Sequence, residues 1–325
     1  MNAAPAVTRK TAFVAAFVLA ALLAACGSSG GREATPSPRP SAAELRVGVT
    51  LPVFADFVRE IARDHADVFS ILPPGADPHT YEPTPSDIES IASADIIFVN
   101  NTEPGVEGSI LDVIEANKGK DAKVVPFMPN VPSPRADELG DPEITAAEAG
   151  DNPHLWLDPV LALDYATTIA ATLISEDGSN AALYTGNLGE YGDRLSQLSD
   201  DIAATVEEIP PDDRKLVTVH DAFGHLAHRY GLEIVGFLVG GADEDPSPHE
   251  IADLTKAIEN QSVAAVFGEP QIGPQTRLLE RIADDTGVEV CTLYSDTLDD
   301  RLPTYIDMMR FNADELLRCL GGGGG

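Results

Sequence analysis

Basic residues are scarce in this chain. Its 325 residues include 21 Lys and Arg against 53 Asp and Glu, a formal charge of -32. Proteins that hold phosphate backbones need the opposite surplus, so nucleic acid is not an expected partner. An acidic surface attracts cations only diffusely, and the charge reads first as solubility. Long apolar runs are missing as well. Outside Thr11 to Ala25 no stretch is long and apolar enough to span a bilayer, and that one is itself short for a span. Hydrolase signatures are also lacking: there is no His-Glu-x-x-His helix, and no Gly-x-Ser-x-Gly string sits on a strand-to-helix turn. Cysteine is used three times only, at 26, 291 and 319.

The chain that remains has the composition of a globular protein, 43% apolar and 23% charged, and is long enough for two domains. Its first 25 residues read as a processing signal: Arg9 and Lys10, then the apolar stretch, then small residues before a cysteine. Leu23-Ala24-Ala25-Cys26-Gly27 resembles the lipobox of bacterial lipoproteins, which implies cleavage before Cys26 and lipidation of its thiol. The alternative is an ordinary secretory signal with an incidental cysteine. Residues 26–44 hold that cysteine and a Gly, Ser and Pro rich tether that cannot build a core. The expected location is extracytoplasmic, anchored to the membrane by lipid alone. Residues 321–325, all Gly, read as a flexible tail. Cys291 and Cys319 remain, and an exported location permits a disulfide between them. Two unpaired buried thiols are the other possibility.

Between tether and tail, short apolar runs alternate with helical patterns. Strands are expected at 45–51, 68–72, 95–100 and 123–127, with helices at 54–63, from 84, and at 108–116. The stretch 128–151 is rich in Pro and acids and reads as a surface loop, followed by a helix over 159–176. A second helix, 180–209, recurs apolar at Leu183, Leu188, Tyr191, Leu195, Leu198, Ile202 and Val206 and stops at Pro210-Pro211. It is long for a globular helix and suits a connection between domains. Alternation then restarts, with strands at 215–219, 232–239, 262–267 and 288–293. Helices are expected at 221–230, after Pro246-Ser247-Pro248 to about 260, at 274–286 and at 302–320. The fold class is therefore α/β: two strand-helix lobes with mostly parallel sheets, 45–178 and 210–320, joined by one long backbone helix, 179–209.

Ligands of such lobes gather at the carboxyl ends of the strands. His79, His220 and Asp296 lie at such ends, and His154 lies on the loop that leads back into a helix. His79 lies in Asp77-Pro-His-Thr-Tyr-Glu-Pro-Thr-Pro85 and His154 in Asn152-Pro-His-Leu-Trp-Leu-Asp-Pro159. His220 lies in Val217-Thr-Val-His-Asp-Ala-Phe-Gly224 and Asp296 in Leu293-Tyr-Ser-Asp-Thr-Leu298. A proline stiffens the approach to His79 and to His154. Three imidazoles and a carboxylate suit a borderline transition cation, and such a closed set favours binding over catalysis. Glu82, Asp158, Asp221 and Glu269 are candidates to orient the histidines. Glu269 has the best claim because it follows an apolar strand. His65 and His249 read as surface residues. His225 and His228 share a helix face, as an accessory cation site or, the preferred reading, as a solvated face.

These strings resemble the zinc and manganese binding lipoproteins that serve ABC importers, a subgroup of the periplasmic-type solute-binding proteins. The resemblance runs from about Leu45 to Leu320 and includes Phe267-Gly-Glu-Pro270. It implies two lobes joined by one long helix, with a metal between them held by His79 and His154 on one side and His220 and Asp296 on the other. It also implies an ABC transporter permease as partner, no enzymatic activity, and a monomer. A third imidazole at 220 resembles the zinc members, and nitrogen ligands favour Zn2+ over Mn2+. The loop at 128–151 lacks the histidines of many zinc members, and 293–298 resembles the manganese members, so Mn2+ is the alternative cargo. A metal-dependent hydrolase would need an open coordination position and a positioned base. A surface adhesin with a structural metal is the more distant alternative.

Overall fold

In this computed structural model the alternation of apolar runs and helical patterns folds into two parallel sheets. The structure describes residues 44–101, 107–128, 152–240 and 245–322. The expected signal, Cys26, the expected tether up to residue 43, residues 102–106, all but the first residue of the surface loop expected at 128–151, residues 241–244 and the last three glycines lie outside the described residues.

In the first lobe β1 (Leu45–Val49), β2 (Ala66–Ser70), β3 (Ile96–Val99) and β4 (Lys123–Pro126) form one sheet in the order β2-β1-β3-β4, every pair parallel. Helices α1 (Pro52–Ala62), α2 (Pro85–Ser93), α3 (Gly108–Asn117) and α4 (Pro159–Glu176) cover it. In the second lobe β5 (Lys215–His220), β6 (Glu233–Val239), β7 (Ala265–Gly268) and β8 (Glu289–Thr292) repeat the same order, β6-β5-β7-β8, again all parallel. Its helices are α6 (Gly224–Tyr230), α7 (Pro248–Gln261), α8 (Gly273–Thr286) and α9 (Tyr305–Leu320). All four residues of β3 are buried, as expected for strands covered by helices on both faces. Among the described residues no helix is long and apolar enough to cross a membrane.

The long helix α5 (Ala181–Glu207) connects the lobes. Tyr184, Tyr191, Leu195, Leu198, Ile202 and Val206 form its buried stripe, at the helical spacing of three and four residues. Leu183 and Leu188 are only partly buried, and Tyr184 takes the place beside them. The stripe packs on α1 and α4 of the first lobe and on α6 and α9 of the second. One hydrophobic core therefore runs through both lobes, and a smaller one fills the other face of the second sheet.

The structure moves several expected boundaries. Strand β2 begins and ends two residues early, and β7 starts at Ala265 because Ser262 takes a left-handed conformation that closes α7. His220 ends β5 instead of following it, and α6 starts at Gly224 after a turn. The last helix starts at Tyr305. The Asp299 carboxylate accepts from the Arg301 and Leu302 amides and holds 299–302 in a turn, and Thr304 then caps the helix.

Candidate metal centre

The centre is assembled from segments at or after the ends of β2, β5 and β8 and from the loop that leads into α4. His79 lies on the loop after β2. That loop turns at Gly75, whose φ of 80° is left-handed backbone that glycine adopts without strain. Asp77 Oδ1 accepts the His79 backbone amide at 3.0 Å. The same device recurs before α4, where Asn152 Oδ1 accepts the His154 amide at 3.1 Å. Each Asx-Pro-His string is thus a turn that points an imidazole inward. His220 is the last residue of β5. Asp296 follows β8 in a loop fixed from α9: Asn312 donates to the Tyr294 carbonyl and accepts from its amide.

The structure brings together all four residues named from the sequence. One ligand atom from each of His79, His154, His220 and Asp296 falls in a group whose members all lie within 4.8 Å of one another. His154 Nε2 is 3.3 Å from His220 Nε2 and 3.5 Å from Asp296 Oδ1, and His220 Nε2 is 3.6 Å from Asp296 Oδ2. A tetrahedral shell with bonds of about 2.0–2.1 Å spaces its donor atoms about 3.3 Å apart. The lone pairs are also free to converge. His154 Nδ1 faces Asn152 Oδ1 at 2.9 Å, and His220 Nδ1 faces Glu269 Oε1 at 2.8 Å. Both partners accept, so the Nδ1 positions carry the protons and the Nε2 atoms point lone pairs at the centre. His79 Nε2 and Asp296 Oδ1 are buried with no hydrogen-bond partner, a costly arrangement that a bound cation relieves.

Charge follows geometry. Burial, with the His220 and His79 rings beside it, holds the His154 imidazole neutral, well below its ordinary range. Burial pushes the Asp296 carboxyl up, against the pull of His220 and His79. Burial is the largest single influence on His220 and lowers it, but the Glu269, Asp296 and Asp77 carboxylates together outweigh it and raise that ring to about 9. A proton on His220 would occupy the lone pair that a divalent cation would need.

Of the four orienting candidates, only Glu269 touches a ligand side chain directly. Its backbone is held by Thr276, which both donates to its carbonyl and accepts from its amide. Gly268 leaves room for this, since a Cβ there would meet Thr276 Cγ2 at 2.6 Å. Asp221 acts one step removed, accepting from Asn152 Nδ2 at 3.2 Å. Asp158 instead caps α4 through the Val160 amide and pairs with Arg229, both at 2.7–2.9 Å. Glu82 is exposed. His225 is not on a solvated face: it is buried, and its Nε2 donates to the Asn152 carbonyl at 3.0 Å. An α6 packed between the turn after β5 and the His154 loop has little solvated face left. His228 is half-buried beside it.

Sequence reasoning missed Asn152 and Gln271. The repeated Asx-Pro-His pattern was the available signal for the first. Gln271 had none: its amide donates to Ser295 Oγ at 2.7 Å and also reaches Glu269 and Asp296, a meeting that exists only in the fold. Cys291 and Cys319 are bonded to each other, which ties β8 to α9 below the Asp296 loop.

The model of the family described as zinc-uptake complex component A, periplasmic, matches residues 47–319. The manganese ABC transporter substrate-binding lipoprotein PsaA of Streptococcus anginosus is 28% identical over 314 residues, covering 94% of this chain and 96% of its own. The metal ABC transporter substrate-binding lipoprotein FimA of Streptococcus parasanguinis is 29% identical over 324 residues, covering 96% and 99%. The periplasmic zinc binding protein TroA from Treponema pallidum superposes with a TM-score of 0.73 at 26% identity, covering 85% of this chain and 99% of that one. The match over most of its length, on a fold that gathers three histidines and an aspartate at one point, places this chain in the family of zinc-uptake complex component A.

Proposed function

We propose that this substrate-binding protein of a metal ABC transporter captures Zn2+ outside the cytoplasm through His79, His154, His220 and Asp296 and delivers it to the permease. The observation that carries the reading is the convergence of three imidazole nitrogens and one carboxylate within 4.8 Å of one another, with the His154, His220 and Asp296 atoms 3.3–3.6 Å apart, close to the donor spacing of a tetrahedral zinc shell. Three nitrogens among four donors favour zinc over the oxygen-preferring Mn2+. The first lobe, 45–178, supplies His79 and His154; the second, 210–320, supplies His220 and Asp296. The chain acts as a monomer held to the membrane by lipid on Cys26, and it carries out no catalysis, because the cation's positions are filled by protein. Release follows when the permease distorts the shell, and α5 confines the motion to a modest one.

Mn2+ is the second reading, favoured by the relatives whose names specify manganese and by the carboxylate at 296. Elemental analysis of protein purified without added metal, followed by direct competition between zinc and manganese, separates the two. Retained zinc that manganese displaces only in large excess is the expected outcome. Preference for manganese replaces the first reading by the second, and binding of neither ion removes both.

A further inference from the structure

The two histidines that face each other in the centre are oriented in different ways. Glu269, which holds His220, belongs to the same lobe as His220, at the end of β7. Asn152, which holds His154, is anchored across the seam. Its Nδ2 donates to the Asp221 carbonyl at 3.0 Å and to Asp221 Oδ1 at 3.2 Å, and its own carbonyl accepts from His225 Nε2 at 3.0 Å. Asp221 and His225 belong to the turn and helix immediately after His220, in the second lobe. One side chain therefore contacts a ligand of the first lobe through its oxygen and the opposite lobe through its nitrogen.

We infer that Asn152 is a positioning residue that couples the seating of the two lobes to the aim of the His154 imidazole, so that His154 is the ligand that loosens first when the lobes part. The inference rests on the metal-capture reading. The physical reason is the two-sided geometry of the amide. While Nδ2 is held by Asp221, Oδ1 can only point at His154 Nδ1. That contact keeps the proton on Nδ1 and leaves Nε2 free for the cation. Separation at this seam removes both anchors of Asn152 and leaves its amide held only from within its own loop, by the His154 backbone N–H. His220 keeps its charged partner throughout, because Glu269 moves with it. Other cross-seam bonds flank the same loop: Trp156 Nε1 donates to the Ser295 carbonyl at 2.8 Å, and Arg229 pairs with Asp158. Trp156 also packs edge-on against the His154 ring, with centroids 5.2 Å apart, but of these residues it is Asn152 that hydrogen-bonds a ring nitrogen of a proposed ligand.

The test is zinc release from the full chain, followed by stopped-flow mixing with excess chelator. Asn152→Ala is expected to speed release about 10- to 100-fold, the range found when a group that orients a metal ligand is lost. His225→Phe removes a cross-seam donor without touching His154. It is expected to speed release several-fold in the wild-type background and to add nothing in the Asn152→Ala background. The ¹⁵N resonances of the His154 ring supply a readout that a merely structural role does not move. They should change from one Nδ1-protonated form to a mixture in metal-free Asn152→Ala. Unchanged release in Asn152→Ala overturns the inference. So does an effect of Asn152→Ala with none from His225→Phe, since Asn152 would then act only locally. If Asn152→Ala does not fold, His225→Phe decides alone: several-fold faster release supports the coupling and unchanged release overturns it. A wild-type chain that retains no zinc overturns the capture reading itself, and is recognised before any variant is compared.

Discussion

Glu269 Oε1 lies 2.8 Å from His220 Nδ1, with both side chains fully buried. A carboxylate so placed fixes the ring's orientation and raises its basicity, and it stands out of reach of the cation. Its other oxygen accepts from Ser295 and Gln271, next to Asp296, so one acid braces both second-lobe residues of the centre.

Replacing this acid tests that bracing. Glu269→Gln keeps an acceptor but removes the charge. Metal affinity is expected to fall about 10- to 100-fold in a chelator competition. The His220 ring should also titrate below its present value of about 9 in the metal-free protein, measured by NMR. Unchanged affinity would show that the contact is packing only.

Asp296 is the single anionic member of the set and is buried without exposure to solvent. Asp296→Ala is expected to weaken zinc retention by more than 100-fold while leaving the fold intact, because it removes a whole ligand and the charge that offsets the cation. Wild-type retention in the same competition removes Asp296 from the ligand set.

Asp56 on α1 caps α9 across the molecule by accepting the Tyr305 amide at 2.9 Å. Burial raises its carboxyl to about 6, and the Tyr305 hydrogen bond offsets this only in part. The folded chain therefore holds this proton more tightly than the unfolded chain. The stabilisation is complete below about pH 4 and is lost as pH rises through about 6, a change on the order of 2–3 kcal/mol. Asp56→Asn keeps an acceptor and carries no charge. Its melting temperature relative to wild type is expected to climb between pH 4 and pH 7 and then level off. A constant difference across that window would sink the assignment.

The Cys291–Cys319 bond closes a loop with a sequence separation of 28. Constraining such a loop in the unfolded chain is worth about 3–4 kcal/mol. The Cys291→Ala, Cys319→Ala double variant is expected to melt roughly 5–12 °C lower. Zinc affinity should change little, since Asn312 still holds the Tyr294 backbone ahead of Asp296. A large loss of affinity at unchanged melting temperature would give the bond a role in the centre instead.

Much of the fold was legible in the residues. Apolar runs alternating with helical patterns marked all eight strands, and the three- and four-residue spacing of Tyr191, Leu195, Leu198 and Ile202 marked the connecting helix. Boundaries were less legible where side chains cap or turn the backbone, as Asp299 and Thr304 do ahead of α9. Such contacts depend on which rotamer the fold selects. His225 was misread for a related reason. A histidine at helical spacing has the same pattern whether its face meets water or another loop, and here it meets Asn152.

The sequence by itself determined the order of strands and helices and pointed to the four residues that meet at the centre. Those features are local: periodicity and a turn-forming Asx-Pro-His string. Tertiary structure alone decided that the four donor groups share one point, which carboxylate backs which ring, and that Asn152 bridges the lobes while Glu269 stays within one. Residues 152 and 221, or 220 and 269, are far apart in the chain, and no local preference encodes their meeting. It follows from how two parallel sheets, one helix and a shared core set the strand ends face to face.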